Sequence, residues 1–500
     1  MSHEKTPIIV LSCIAAYFAC LLGIAWWTSR GANNASYFLG NKSSPWYAVA
    51  FGLIGDSLSG VTFISVPGQV GTAQFSYLQL VLGYVAGYLV ISFVLLPVYY
   101  RMNLTSIYSF LHERLGPAGQ KMGSTFFVLS RLLGAAARLF LAVSVLQKFV
   151  FDALGIPFAL SVTIVIGLIL AYTYKGGIKT LVWTDTFQST FLLLGVALSV
   201  FFIGRELGLG PGGIVAMVKS SDLSKTFFWD WKPANNFWKQ FFGGAFVAIC
   251  MTGLDQNMMQ KNLSCRSLGD AQKNINWFSI VVVGVNLLFL ALGALLFEYA
   301  RVKGVAIPDR TDHLFPMLAL QHLGIAAAIV FVLGLTAATF SSADSVLTTL
   351  TTSFCIDILG MDRDERLSEA QKTRLRHRLH LGFAVALLVT ILLINAQAKT
   401  SVITIILKFA NFTYGPILGL FSYSLFFKRR VPQPLIVLTC LVSPLVCWML
   451  DLFSKDWLAG YAFGSELLIL NGALTLGLLL AFSHVPTRPT IAGPVGPLGD

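Results

Sequence analysis

The sequence predicts an all-α polytopic membrane protein, and three observations carry that reading. The chain has 500 residues, is 56% hydrophobic and has a mean hydropathy of +0.74. Only 12% of it is charged, about half the share in an ordinary soluble domain, so the polar surface that a water-soluble fold of this size needs is missing. Apolar windows of about 20 residues, long enough to span a bilayer, recur about thirteen times. They fall near 7–27, 46–69, 76–100, 123–150, 157–174, 182–204, 239–258, 275–299, 324–350, 378–396, 402–427, 433–452 and 464–483.

The first window, Ile8 to Trp27, lacks a small-residue cleavage site before a polar region. It reads as a retained membrane helix and not as a signal peptide. Lys and Arg concentrate in alternate short loops: Arg30, Lys42, Arg101, Lys121, Lys261, Arg266, the 363–378 cluster and Lys428. Basic loops stay on the inner side of a membrane, so the N-terminus is expected outside, the C-terminus inside, and the chain in the plasma membrane. The polar stretches 205–238, 300–323 and 357–377 are each too short for a soluble domain, and the Pro/Gly-rich tail at 484–500 reads as disordered.

Several function classes fall away. The net charge is +12, but the basic residues form no stripe or arm of the kind that grips nucleic acid. The seven cysteines are scattered and include no CxxC pair, so they form no disulfide framework. No HExxH, nucleophile elbow or histidine-rich cluster points to an enzyme. No P-loop or nucleotide-binding cassette is present to draw energy from ATP.

Three segments break the rules for hydrocarbon, where polar groups are expensive and mark sites. Gly52–Gly68 packs Gly52, Gly55, Gly60 and Pro67 among Asp56, Ser57, Ser59 and Thr62. Glycine and proline weaken a helix there, and carbonyls so freed can coordinate a cation; close packing through small residues is the plainer alternative. Phe241–Gln260 is again glycine-interrupted, five spans later. Interrupted helices at matching positions of two five-helix halves mark inverted-repeat transporters. The expected organisation is therefore a leading helix and inner loop (1–45), a first repeat (46–204), an outer loop (205–238), a second repeat (239–427) and two additional helices (428–483). In Leu335–Phe354, Ser341, Asp344 and Ser345 are spaced to share one helix face. Hydroxyls and a carboxylate without histidine or thiolate suit a hard cation such as Na+.

The stretch YTYKGGIKTLVWTDTFQ (Tyr172–Gln188) closely resembles the fourth-to-fifth-helix signature of the sodium:solute symporters. GLDQNMMQKNLSCRS (Gly253–Ser267) resembles that family's segment after its second broken helix. LPVYYRMNLTSIYSFLHERLG (Leu96–Gly116) is most similar to members that carry iodide, vitamins or monocarboxylates. The resemblance extends over about residues 7–430. It implies the five-plus-five inverted-repeat fold of LeuT-like transporters and a sodium-coupled symporter of a small organic solute or anion. Its partners would be that solute and the bilayer, and the chain would be a monomer or weak homo-oligomer.

Carried onto this sequence, the shared sodium site would use the carbonyls of Gly55, Leu58 and Ala338 with the hydroxyls of Ser341 and Ser342. Some members hold a second sodium, and the matching positions are Asp185, Ser341, Asp344 and Ser345. Asp344 departs from the serine of the sialic acid branch, so it either binds sodium or carries a proton, and Asp185 alternatively caps its helix. Substrate candidates are Ser57, Ser59, Thr62, Gln79, Tyr84 and Met251, with Asp56 one position early relative to the proline carriers' aspartate. Ala248 and Met251 stand where sugar carriers place an asparagine and a gating tyrosine, which disfavours a sugar. The sialic acid branch's third-helix arginine is Gly134 here, with Arg131 and Arg138 about one turn to either side. These two either hold an anionic substrate bidentately or pair with Asp56, Glu298 or another buried acid. Lys408 is either a substrate gate or a snorkelling head. The rival readings are a proton-coupled or sodium-independent permease of the same fold, or a membrane sensor built on it.

Overall fold

The computed structural model describes residues 5–174, 176–397, 402–458, 460–461 and 463–484. The tail expected to be disordered lies outside the described residues except for His484.

The described chain is helical, with isolated bridges in place of strands. The principal helices are α1 (Lys5–Thr28), α2 (Trp46–Ser57), α3 (Gly60–Ala73), α4 (Tyr77–Val90), α5 (Pro117–Leu146), α6 (Phe158–Thr173), α7 (Ile178–Glu206) and α8 (Phe237–Ala248). They continue with α9 (Gln256–Asn262), α10 (Leu268–Lys303), α11 (Gly324–Ser353), α12 (Glu369–Gln397), α13 (Val402–Phe426), α14 (Gln433–Trp457) and α15 (Glu466–Ala481). Among the described residues, eight helices are long and apolar enough to cross a membrane, and nine if the bent pair α2–α3 counts as one span. The apolar α6 and α15 are shorter, and the apolar window at 239–258 does not form one helix because it is interrupted.

In lipid every backbone N–H and C=O must be satisfied internally, which explains the helical content. Outward faces remain apolar: α14 exposes Leu438, Leu441, Leu445, Trp448, Met449 and Leu452, a stripe at helical spacing that suits hydrocarbon. Inside, α8 runs along α4, α7 along α11, and α13 between α5 and α15. The interior helix α11 is buried almost throughout its second half, from Gly334 to Ser353.

Both expected interruptions are present, but not at every residue that suggested them. The first lies at Leu58–Ser59, and α2 and α3 meet at 59°; Pro67 is accommodated inside α3. In the second, α8 widens through a π-turn at Ile249–Gly253 and stops at Leu254–Asp255, both outside helical geometry in φ or ψ. The pair Gly243–Gly244 does not break the helix. It lets backbones touch: a Cβ on Gly244 would sit 2.1 Å from the Leu80 carbonyl oxygen, and one on Gly83 would sit 2.0 Å from that of Phe241. Small residues that bring helices into backbone contact are how membrane helices pack without a hydrophobic drive between them.

The loop assigned to 205–238 contains a helix of its own, Pro211–Ser220. Gln79 anchors this region. Its amide donates to the Asn235 carbonyl (2.9 Å) and its oxygen accepts from Phe228 N–H (3.1 Å).

Gly83→Val should force the α4–α8 crossing apart at a cost of about 1–3 kcal/mol. Gly284→Ala, where a Cβ meets nothing within 4 Å, is the control. Thermal unfolding of the purified protein should show a lower midpoint for the first variant alone; equal midpoints would contradict the packing.

Candidate functional site

The break between α2 and α3 faces the hydroxyl-rich face of α11. A Cβ on Gly55 would lie 2.6 Å from Ser341 Oγ and 2.8 Å from Ser189 Oγ, and one on Gly60 would lie 2.4 Å from Thr339 Oγ1. Only glycine permits this approach. Leu58 has φ −99° and ψ 75°, and its N–H still bonds back to the Ile54 carbonyl at 2.8 Å. No backbone N–H beyond the break closes onto the carbonyls of Gly55 or Leu58 among the described residues. Ser342 donates to the Ala338 carbonyl at 3.2 Å, while the buried Ser341 hydroxyl has no hydrogen-bond partner. The structure thus brings together Gly55 and Ser341 across the helices, and Ala338 and Ser342 along one. Carbonyls left unpaired at the break, beside a buried hydroxyl without a partner, suit a monovalent cation: buried polar atoms without a partner are costly.

One turn further along α11, a charged cluster holds three of the four residues expected for a second sodium, Asp185, Asp344 and Ser345, together with one residue that the sequence reading placed elsewhere; Ser341 faces Gly55 instead. Lys261, counted above as an inner-loop topology signal, is only 1% exposed. Its ammonium donates to Asp56 Oδ2, to Asp185 Oδ2 and, at 2.7 Å, to Ser345 Oγ. Asp344 is engaged on both oxygens. Oδ2 accepts from Tyr172 OH (2.7 Å) and Gln188 Nε2 (3.4 Å), and Oδ1 from Ser345 N–H (2.5 Å) and Ser345 Oγ (3.2 Å). Asp185 sits well inside α7, whose N-cap is Gly177, so it does not cap that helix. Asp56 Oδ1 and Asp185 Oδ1 have no hydrogen-bond partner. Three carboxyl groups thus surround one ammonium, two of them in direct contact with it.

A signal for Lys261 was available in the sequence. Asp56, Asp185 and Asp344 all lie in apolar segments, and buried acids need cations. The resemblance itself carries Lys261 six residues past the second break.

That second break is held by side chains. Arg131 Nε donates to Asp255 Oδ2 at 2.6 Å, and its Nη2 donates to the Met251 carbonyl at 3.2 Å. Tyr414 OH adds a 2.5 Å bond to the same carboxylate oxygen. The other oxygen, Oδ1, accepts from Met258 N–H at 3.2 Å and caps α9. Arg131 therefore pairs with Asp255 and not with Asp56 or Glu298; Glu298 pairs with Arg301 at 2.7 Å.

A cavity of about 330 Å³ lies between the two breaks. The first break contributes Asp56, Ser57, Ser59 and Thr62 to its wall, α4 contributes Tyr84 and Tyr88, α8 contributes Val247 and Ala248, and the turn after it Met251. Arg131 and Arg138 line both this cavity and a neighbouring one of about 110 Å³ that also contains Gly134. Arg138 makes no hydrogen bond or ion pair among the described residues, in contrast to Arg131. Gln79 is not in the wall: as described above, its amide is taken by the outer loop, which corrects its assignment to substrate. The side chain of Lys408 lies outside the described residues.

Comparison with known proteins identifies the fold and the family. The chain is 23% identical over 470 residues to a sodium/sialic acid symporter of Aliivibrio fischeri, covering 92% of this chain and 91% of that one. It is 27% identical to a sodium-dependent multivitamin transporter of Oryctolagus cuniculus, over 78% of this chain and 61% of the longer relative. Among solved structures it superposes on a substrate-bound, outward-open Na+-coupled sialic acid symporter with a TM-score of 0.81 at 20% identity, covering 95% and 97% of the two chains. It also superposes on a nucleobase-cation-symport-1 family transporter with a TM-score of 0.53 at 13% identity. The fold is that of LeuT-like transporters. With a family match running over residues 37–433, and with the two broken helices flanking a cavity, the chain belongs to the sodium:solute symporter family.

Proposed function

We propose that this chain is a sodium-coupled symporter that imports a small organic anion across the plasma membrane by alternating access. The N-terminus would be outside, and residues 46–204 and 239–427 would form the two repeats. The observation that carries the reading is the close approach of Gly55 to the unpartnered Ser341 hydroxyl at the first break, beside a cavity lined by Arg138.

Coupling follows from linkage. A sodium held between α2 and α11 stabilises the conformation in which these helices are close, and it orders Ser57 and Ser59 at the cavity wall for substrate. Substrate, by reciprocity, tightens sodium binding. When the site opens inward, low internal sodium empties it. One sodium ion moving down ~100 mV contributes about 2.3 kcal/mol from voltage alone.

The anionic character of the substrate rests on Arg138. A guanidinium in a membrane interior is expensive unless something negative meets it, and this one faces the cavity without an acid of its own. Ser57, Ser59 and Thr62 add hydrogen-bonding groups for the remainder of a small molecule, and the tyrosines of α4 add apolar walls. Asp56, although in the wall, is committed to Lys261.

Sodium at a hundred times its dissociation constant should add about 2.7 kcal/mol to the stability of the purified protein. The unfolding midpoint should therefore rise in NaCl relative to choline chloride. Combined Ser341→Ala and Ser342→Ala should abolish that rise; an identical rise in the variant would contradict the site, and no rise in the native protein would favour a sodium-independent permease. In a screen of small mono- and dicarboxylates, one that stabilises only in sodium should bind Arg138→Gln about 10- to 100-fold more weakly, the size of a lost charge-assisted hydrogen bond. Undiminished binding would place the anion elsewhere.

A further inference from the structure

We infer that the Lys261 ammonium is a built-in cation that occupies the place of a second sodium, so that this transporter binds and carries one sodium ion per cycle. The inference rests on the sodium-coupled reading above and concerns the number of ions.

Lys261 and its neighbours already engage most of the oxygens that a second sodium would need. The Lys261 ammonium has three N–H donors and three acceptors, Asp56 Oδ2, Asp185 Oδ2 and Ser345 Oγ. Both oxygens of Asp344 are taken by Tyr172, Gln188 and Ser345. Of the four positions that the resemblance assigns to a second ion, this leaves one oxygen of Asp185 and the Ser341 hydroxyl without a partner; Ser341 faces Gly55 in the shared site, and Asp185 is already paired with the ammonium through its other oxygen. A sodium ion about 4 Å from the ammonium would meet a like charge, which at an effective dielectric constant near 20 weakens its binding about a thousandfold.

The same lysine links the two halves of the molecule. It arrives on α9, directly after the second break, and ends on Asp56, the residue after Gly55 at the first break. The cluster keeps an excess of acid, with Asp56 Oδ1 and Asp185 Oδ1 unbonded. For a monovalent anionic substrate, the cycle then moves no net charge.

The test counts ions directly and needs no substrate. Equilibrium binding of radioactive sodium to the purified, intact chain at saturation should give about one ion per chain; two would overturn the inference. No bound sodium would remove the sodium-coupled reading itself, and this inference with it. The double variant Lys261→Met with Asp56→Asn removes one positive and one negative charge together, so the buried cluster keeps its net charge. It should bind two ions, while one ion in a folded double variant would overturn the claim that the ammonium excludes the second. If the double variant does not fold, the native count decides alone.

Discussion

A helix interrupted inside a membrane leaves carbonyl oxygens with no N–H to accept, and the rest of this structure depends on how that deficit at Leu58–Ser59 is met. Across the break, α11 presents the Ser341 hydroxyl, which has no hydrogen-bond partner, and Ser342, which donates to a carbonyl of its own helix. The remaining partner for a set of acceptors is a cation. Glycine at position 55 makes the arrangement possible, because a methyl group there would meet Ser341 and Ser189. The sharp bend and the close approach to α11 thus have a single cause, and the cavity opens on the same break.

The second interruption is resolved in the opposite way. At Leu254–Asp255 the carboxylate of Asp255 caps the following helix with one oxygen, while Arg131 and Tyr414 grip the other. No mobile ligand is needed. Helix α9 then carries Lys261 across to Asp56 and Asp185, so the self-satisfied break supplies a fixed charge to the break for which we propose an exchangeable one. Two structurally similar interruptions therefore have complementary electrostatic roles, and the contact between them runs through one ammonium group.

Much of this was legible in the sequence because it is local. Glycines and polar residues crowded into an apolar window announced both interruptions, and the spacing of Ser341, Asp344 and Ser345 put them on one face. Other features depend on contacts that spacing does not encode. Lys261 reads as a loop cation, since a basic residue after an apolar segment is also what a topology signal looks like. Gln79 reads as a pocket residue on an apolar helix, yet its amide holds the loop that covers it. The Gly243–Gly244 pair reads as a break, but its reason lies across the interface at Leu80. Arg131 and Arg138, alike in sequence, separate only because Asp255 lies within reach of the first.

The most direct test of the sodium site is a high-resolution map of the protein in saturating NaCl, compared with one in choline chloride. The account predicts density at metal–oxygen distance from the carbonyls of Gly55, Leu58 and Ala338 and from the hydroxyls of Ser341 and Ser342, present only in sodium. Helices α2 and α11 too far apart to share an ion, or the same empty gap in both salts, would contradict it.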